Sequence, residues 1–194
     1  MKGKGLWIGL GAIIIIVIAF VSSYNKIVKL DEDVNGKWAQ VEAAYQRRSD
    51  LIPNIVNTVK GYADFEKSTL TAVIEARSKA TSIQIDPSNL SPQAIANFQK
   101  AQDGLSGALS RLLVTVERYP DLKANQSFLG LQAELTNTEN KINFERNNFN
   151  DSVKSYNSKI RVIPGALLAN LTGFEKRGYF EAVEGSEKPP EVSF

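Results

Sequence analysis

The uncharged N-terminal stretch constrains this chain more than any other feature. No charged side chain lies between Lys4 and Lys26, and residues 6–21 are almost entirely apolar. As a helix, residues 5–25 would be about 30 Å long, the thickness of a bilayer's hydrocarbon core. We predict a basic N-terminus at residues 1–4 and a single membrane-spanning helix at residues 5–25.

A cleaved signal peptide is the competing interpretation of the same stretch. Lys2 and Lys4 would form its basic start, and Ser22 and Ser23 follow Val21 as small residues near a possible cleavage point. The apolar run is long for a signal peptide, and a helical pattern resumes directly after Ser23. We therefore favour a retained anchor, and a secreted helical protein remains the alternative.

Composition excludes several function classes. The chain has no cysteine and no histidine, so it lacks the commonest general base, the commonest metal ligand and any Cys-ligated zinc. Its formal net charge is +2 over 194 residues, which is not the basic character of a nucleic-acid binder. We predict a protein that is not an enzyme and needs no cofactor or metal.

The remainder follows helical spacing, without a strand pattern. Apolar residues recur every three or four positions from Leu30 to Tyr62, interrupted by Arg48. Pro53 predicts a kink there, or a new helix capped by Ser49 or Asp50. Such a restarted helix would end near Gly61.

Three further helices are expected. The second covers about residues 65–82, Ser91 caps the third, and the fourth keeps a near-heptad, coiled-coil-like register over residues 128–160. Pro164-Gly165 ends the fourth helix, before a short apolar turn or helix at residues 166–171. We predict an all-α fold with an antiparallel up-down four-helix bundle at residues 26–181, whose first and fourth helices are long. Residues 182–194 read as a disordered acidic tail.

Motifs along nearly the whole chain resemble the LemA family. Two blocks are specific, and the others are shorter: Arg47-Arg48-Ser49-Asp50-Leu51-Ile52-Pro53-Asn54, Tyr119-Pro120-Asp121-Leu122-Lys123-Ala124-Asn125, Glu75-Ala76-Arg77, Leu131-Gln132-Ala133-Glu134-Leu135, Tyr156-Asn157, Gly173-Phe174 and Tyr179-Phe180-Glu181. The resemblance implies a bacterial single-pass membrane protein with a helical bundle and no established activity. Some relatives resemble magnetosome-membrane components, and some are encoded near a membrane zinc metalloprotease.

Two polar clusters near breaks in the pattern are candidate sites. Arg47, Arg48 and Asp50 beside Pro53 form either an anion or partner site, or charges that complement helix ends; we favour the second interpretation. Residues 120–125 join two helices and form either a functional loop or a polar cap made by Asp121 or Asn125.

Three other features of the last third of the chain are weaker candidates. Glu134, Glu139 and Glu145 do not match a bundle di-metal motif, which needs histidine. The asparagines between residues 137 and 150 indicate a solvated face, or a hydrogen-bond ladder. The apolar C-terminus at residues 191–194 resembles a peptide captured by strand addition, although an unbound tail is the simpler interpretation.

Together these features predict a membrane-anchored, non-enzymatic module for protein interaction or assembly. We place its body on the extracytoplasmic side of the cell membrane, with a protein partner or a second copy as its ligand. A role in organising the envelope membrane, or as an accessory to a membrane protease, is the alternative.

Overall fold

The fold is all-α, as the sequence predicts. A computed structural model describes residues 2–62 and 65–181, and these contain no strand. The elements are α1 (Lys2–Lys60), α2 (Lys67–Ser82), a 3-10 turn (Pro87–Asn89), α3 (Pro92–Val116), α4 (Pro120–Lys123), α5 (Gln126–Lys159) and α6 (Gly165–Thr172). The predicted disorder of residues 182–194 lies outside the described residues.

Helix α1 joins the apolar segment and the body in one element. Its 59 residues correspond to about 88 Å of helix. The apolar stretch near its N-terminus is long and hydrophobic enough to cross a membrane, and its isoleucines stand exposed. The body therefore continues directly from the predicted membrane segment without a flexible linker.

The predicted helix restart at Pro53 is wrong. Pro53 lies inside α1 and faces solvent, so its ring does not disturb the packed face. A proline at this position leaves the carbonyl of Ser49 without its usual helical donor. Arg77 of α2 supplies the missing donor, since its Nε lies 2.9 Å from the Ser49 carbonyl oxygen and 3.1 Å from Ser49 Oγ.

The core forms along the body part of α1. Helix α5 packs along α1, α2 packs along α3, and α1 also contacts α2 and α6. One apolar cluster surrounds α1 between Ile27 and Tyr45, where Trp38 meets the rings of Phe98 and Phe149. A second cluster surrounds α1 from Leu51 onward.

Helix boundaries follow local signals. Ser91 Oγ accepts from the Ala94 N–H at the start of α3, with Pro92 at the first helical position, as predicted. Gly173 ends α6 with φ +79°, a left-handed conformation that favours glycine. After it, residues 173–181 form a non-helical C-terminal segment that returns along α5 toward α3.

Candidate functional site

Arg48 is the centre of a buried polar network. Its side chain lies on the packed face of α1 and is 2% exposed. Nη1 donates to Ser106 Oγ at 2.7 Å and to Glu139 Oε1 at 2.9 Å. Nη2 donates to Gln102 Oε1 at 2.6 Å and to the Gln102 carbonyl at 3.2 Å. One guanidinium therefore connects α1, α3 and α5.

The network extends to α2 and to an aromatic ring. Gln102 Nε2 donates to the carbonyl of Ala80 at 3.2 Å, so the four long elements of the body share one set of hydrogen bonds. The Arg48 guanidinium also lies 5.0 Å from the centre of the Tyr45 ring. Among the described residues, the Nε of Arg48 has no hydrogen-bond partner.

A polar cavity of about 250 Å³ adjoins this network, lined in part by Glu42, Tyr45, Ser49 and Gln102. Burial raises the pKa of Glu42, and the nearby indole of Trp38 partly offsets this rise. Burial likewise raises the pKa of the Tyr45 hydroxyl. The hydrogen bonds of Arg48 join α1 to α3 and α5, so the network has a structural role.

The explanation of Arg47, Arg48 and Asp50 by helix ends is wrong, because α1 continues through all three positions. Arg47 is exposed and pairs with Glu134 at 2.8 Å. Asp50 is exposed and accepts from Gln46 Nε2 at 2.8 Å. Of these three residues, only Arg48 enters the core. The sequence signal for its burial was its position, because Arg48 falls at the helical spacing of the apolar residues of α1.

Each of the three glutamates on α5 faces a cation rather than another carboxylate. Glu145 is buried, and a hydrogen bond from Lys141 lowers its pKa. The three ion pairs are Arg47–Glu134, Arg48–Glu139 and Lys141–Glu145. In residues 2–62 and 65–181, no cluster of three or more metal-ligating side chains is present.

Residues 120–125, which contain the short helix α4, provide a helix cap and a contact with Tyr62. Asn125, not Asp121, caps α5, since its Oδ1 accepts from the Phe128 N–H at 3.1 Å. Asn125 Nδ2 also donates to the Tyr62 hydroxyl at 3.1 Å. These two contacts explain why an asparagine suits position 125.

The asparagine run on α5 divides into three groups. Asn137, Asn140, Asn143 and Asn147 are exposed to solvent. Asn148 is half-buried and donates to Glu145 Oε2 at 3.1 Å. Asn150 instead points to the C-terminal segment, where it accepts from the Phe180 N–H and donates to the Phe180 carbonyl, both at 2.9 Å. The predicted ladder between helices is therefore absent among these hydrogen bonds.

Two other carboxamides bind the C-terminal segment in the same way. Asn157 accepts from the Arg177 N–H at 3.0 Å and donates to the Arg177 carbonyl at 2.9 Å. Gln99 of α3 makes the matching pair with Glu181, at 3.0 Å for each bond. Side-chain amides thus satisfy backbone groups that a neighbouring strand would pair in a sheet.

Side chains of the C-terminal segment reach the core and α1. The Phe180 ring lies 6.1 Å from Trp38 in a stacked arrangement. Arg177 pairs with Asp31 of α1 at 2.8 Å and donates to the Ser88 carbonyl at the same distance. The sequence did not predict that this segment packs against the body. The turn residue Gly173 was the only local signal in the sequence that preceded it.

Helices α2 and α3 leave an open groove of about 740 Å³ between them. Small residues line it, and charged side chains stand around them. The small residues are Ala72, Ala76, Ala101, Gly104 and Ala108, and the charged ones are Glu75, Lys79, Lys100 and Arg111. Three cations and one carboxylate give the rim of this groove a net positive charge.

Comparison with known proteins identifies the family. The LemA family model matches residues 37–194, which is most of the chain. This protein belongs to the LemA family. The match begins beyond the apolar segment and includes the Arg48 network, Arg77 with Pro53, and the C-terminal segment.

The chain is similar in sequence to several named proteins, of which three have the following identity and coverage. "Magnetosome protein MamQ 2" of Paramagnetospirillum magneticum is 25% identical, covering 89% of this chain and 71% of the relative. "Magnetosome protein MamQ" of Magnetospirillum gryphiswaldense is 26% identical with the same coverage. "Protein LemA" of Metamycoplasma hominis is 30% identical, covering 88% of this chain and 74% of the relative.

Proposed function

We propose that this LemA-family protein is a membrane-anchored, non-enzymatic assembly module that binds a partner protein through the α2–α3 groove. In this proposal α1, α2, α3 and α5 form the antiparallel up-down bundle, and residues 5–25 anchor it. The names of the relatives are compatible with a membrane-associated role.

The groove is the observation that carries the proposal. Its alanine and glycine lining lets the backbone of another helix approach closely. Its rim of Lys79, Lys100 and Arg111 favours acidic side chains beside that helix. The partner is therefore a helix with a small or apolar face bordered by Asp or Glu.

Cysteine-directed photocrosslinking in native membranes tests this site, since the chain has no native cysteine. A benzophenone maleimide on A101C is expected to give a protein adduct, and the same probe on A96C, exposed elsewhere on α3, is the matched control. Reversal of the rim charges by K79E and R111E is expected to abolish the adduct. Reversal of an exposed lysine on α5, K154E, should leave it intact.

The adduct's identity decides the outcome. A protein captured at A101C only while the rim is basic supports the proposal, and a second copy of this chain would mean self-assembly through the groove. An adduct unaffected by the rim charges contradicts the proposed recognition. A crosslink within one chain to residues 182–194 would show that the acidic tail covers the groove, and would overturn the proposal.

The side of the membrane is tested separately. S88C lies in an exposed turn of the body, and labelling of intact cells with a membrane-impermeant maleimide should modify it if the body is extracytoplasmic. Protection until lysis would place the body in the cytoplasm. A chain mass lacking the N-terminal residues would show signal-peptide cleavage instead of anchoring.

A further inference from the structure

A cluster of exposed apolar side chains lies at α6 and the loop before it. We define the α6 patch as Val162, Ile163, Leu167 and Leu171, which are 55%, 81%, 50% and 80% exposed. Elsewhere in residues 26–62 and 65–181, large exposed apolar side chains stand singly along the chain. A concentration of apolar surface of this kind marks a binding surface.

The patch lies beside the point where α1 leaves the predicted membrane segment. The opposite face of α6, with Leu168 and Ala169, packs in the same cluster as Ile27 and the partly buried Phe20. Ile27 lies two residues beyond Asn25, the last residue of the predicted span, which is about 3 Å along the helix. The headgroup layer of a bilayer is about 5–8 Å deep on each side, so α6 stands at that level.

Helix α6 is held firmly in this place. A Cβ on Gly165 would collide with the Lys159 carbonyl oxygen, so the start of α6 is packed closely against the end of α5. Phe174, just after α6, contacts the ring of Tyr24 on α1, with 5.9 Å between the ring centres. The exposed side chains of the patch are thus presented by a fixed platform.

The exposed charges at the membrane end of the body are mostly basic. Lys26 and Lys29 are exposed on a face of α1 that α6 does not line, and Arg161 is exposed directly before Val162. Glu175 is the exposed carboxylate that follows α6. Exposed basic side chains close to a bilayer surface are attracted to anionic headgroups.

We propose that the α6 patch inserts into the headgroup and acyl boundary of the same bilayer that α1 spans, giving the protein a second membrane contact. Two contacts fix the tilt of the body relative to the membrane, and they set how far the α2–α3 groove stands from the surface. The inference rests on the membrane anchoring proposed above, but it does not depend on a partner for the groove.

Fluorescence of the full chain in vesicles tests this contact. The variants V162C and L171C are each labelled with the fluorophore nitrobenzoxadiazole and placed in vesicles of phosphatidylcholine and phosphatidylglycerol. Emission is measured with and without lipids that carry a quenching spin label at the headgroup or along the acyl chain. V114C is the matched control, because Val114 is also an exposed valine, 71% exposed, near the end of α3 that packs in the second core cluster. On α1 that cluster begins at Leu51, which is about 39 Å beyond Asn25 along the helix.

The expected result is a blue-shifted emission and strong quenching by shallow spin labels at V162C and L171C, with neither at V114C. Emission and quenching equal to those of V114C would overturn the proposal. A blue shift without lipid quenching would mean that a protein surface or a second copy covers the patch, which also overturns it.

A probe on I15C, in the middle of the apolar segment, separates this inference from the anchor. Quenching of I15C by acyl-chain labels without quenching of V162C would reject the second contact alone. Absence of quenching at I15C would reject the anchor itself, and both proposals with it.

Discussion

The Nε of Arg77 donates a 2.9 Å hydrogen bond to the carbonyl of Ser49, the acceptor that Pro53 leaves without a helical partner. The side chain of Ser49 is part of the same contact, with its Oγ 3.1 Å from Nε. A residue of α2 thus completes the hydrogen bonding of α1. This contact accounts for how a proline is accommodated inside the longest helix of the protein.

We expect R77A to lower the free energy of unfolding by about 1–3 kcal/mol, because it leaves a carbonyl on the packed side of α1 without a donor. In a P53A background the loss should be smaller, since the alanine supplies the helical N–H that proline lacks. Thermal unfolding of the full chain in detergent, followed by circular dichroism, measures both effects. R118A, which removes an exposed ion pair with Glu66, is the control. Equal losses in the two backgrounds would contradict this explanation.

Adjacent arginines on α1 should differ sharply in their contribution to stability. R48A removes the donors for Gln102 and Glu139 inside the core. We expect it to lower the free energy of unfolding by about 3 kcal/mol. This is the low end for a broken buried ion pair, because Glu139 keeps some solvent contact. R47A breaks only an exposed pair with Glu134 and should cost less than about 1 kcal/mol. Denaturant unfolding in detergent compares them, and similar losses would disprove the assigned role of Arg48.

Asn157 should control the order of the C-terminal segment. N157A removes both hydrogen bonds to the backbone of Arg177, and we expect faster amide exchange and easier proteolysis within residues 173–181. N147A, which changes an exposed asparagine on the same helix, should leave both rates unchanged. Hydrogen exchange with mass spectrometry resolves the segment, and identical protection in both variants would contradict the role of side-chain amides in holding it.

Tyr156 should make the fold sensitive to alkaline pH. Burial raises the pKa of its hydroxyl from 10.0 to about 12, and the hydroxyl donates to the Glu175 carbonyl at 3.0 Å. The unfolded chain loses this proton near pH 10, while the native protein holds it to about pH 12, so the free energy of unfolding should fall as pH rises through this window. Y156F should be less stable at neutral pH and lose less stability between these limits. An unchanged slope in Y156F would show that Tyr156 does not titrate with unfolding.

Local signals in the sequence predicted the parts of this protein that depend on neighbouring residues. Ser91 and Pro92 marked the start of α3, and Gly165 and Gly173 fall at the ends of α6, because capping and φ preferences act within a few residues. The apolar run at residues 5–25 predicted a membrane segment by length and charge alone. The helical period likewise determined that the fold is all-α.

Tertiary structure decided which polar residues were taken into the core and where the chain returned. Pro53 stands inside a helix because Arg77, on a different element, supplies a donor. Arg48 is buried because Gln102 and Glu139 meet it from α3 and α5. The C-terminal segment, which has no periodic pattern, is held by side-chain amides of α3 and α5. Each of these outcomes depends on groups 20 or more residues apart meeting within hydrogen-bond distance, and short-range propensity and periodicity contain no information about such pairs.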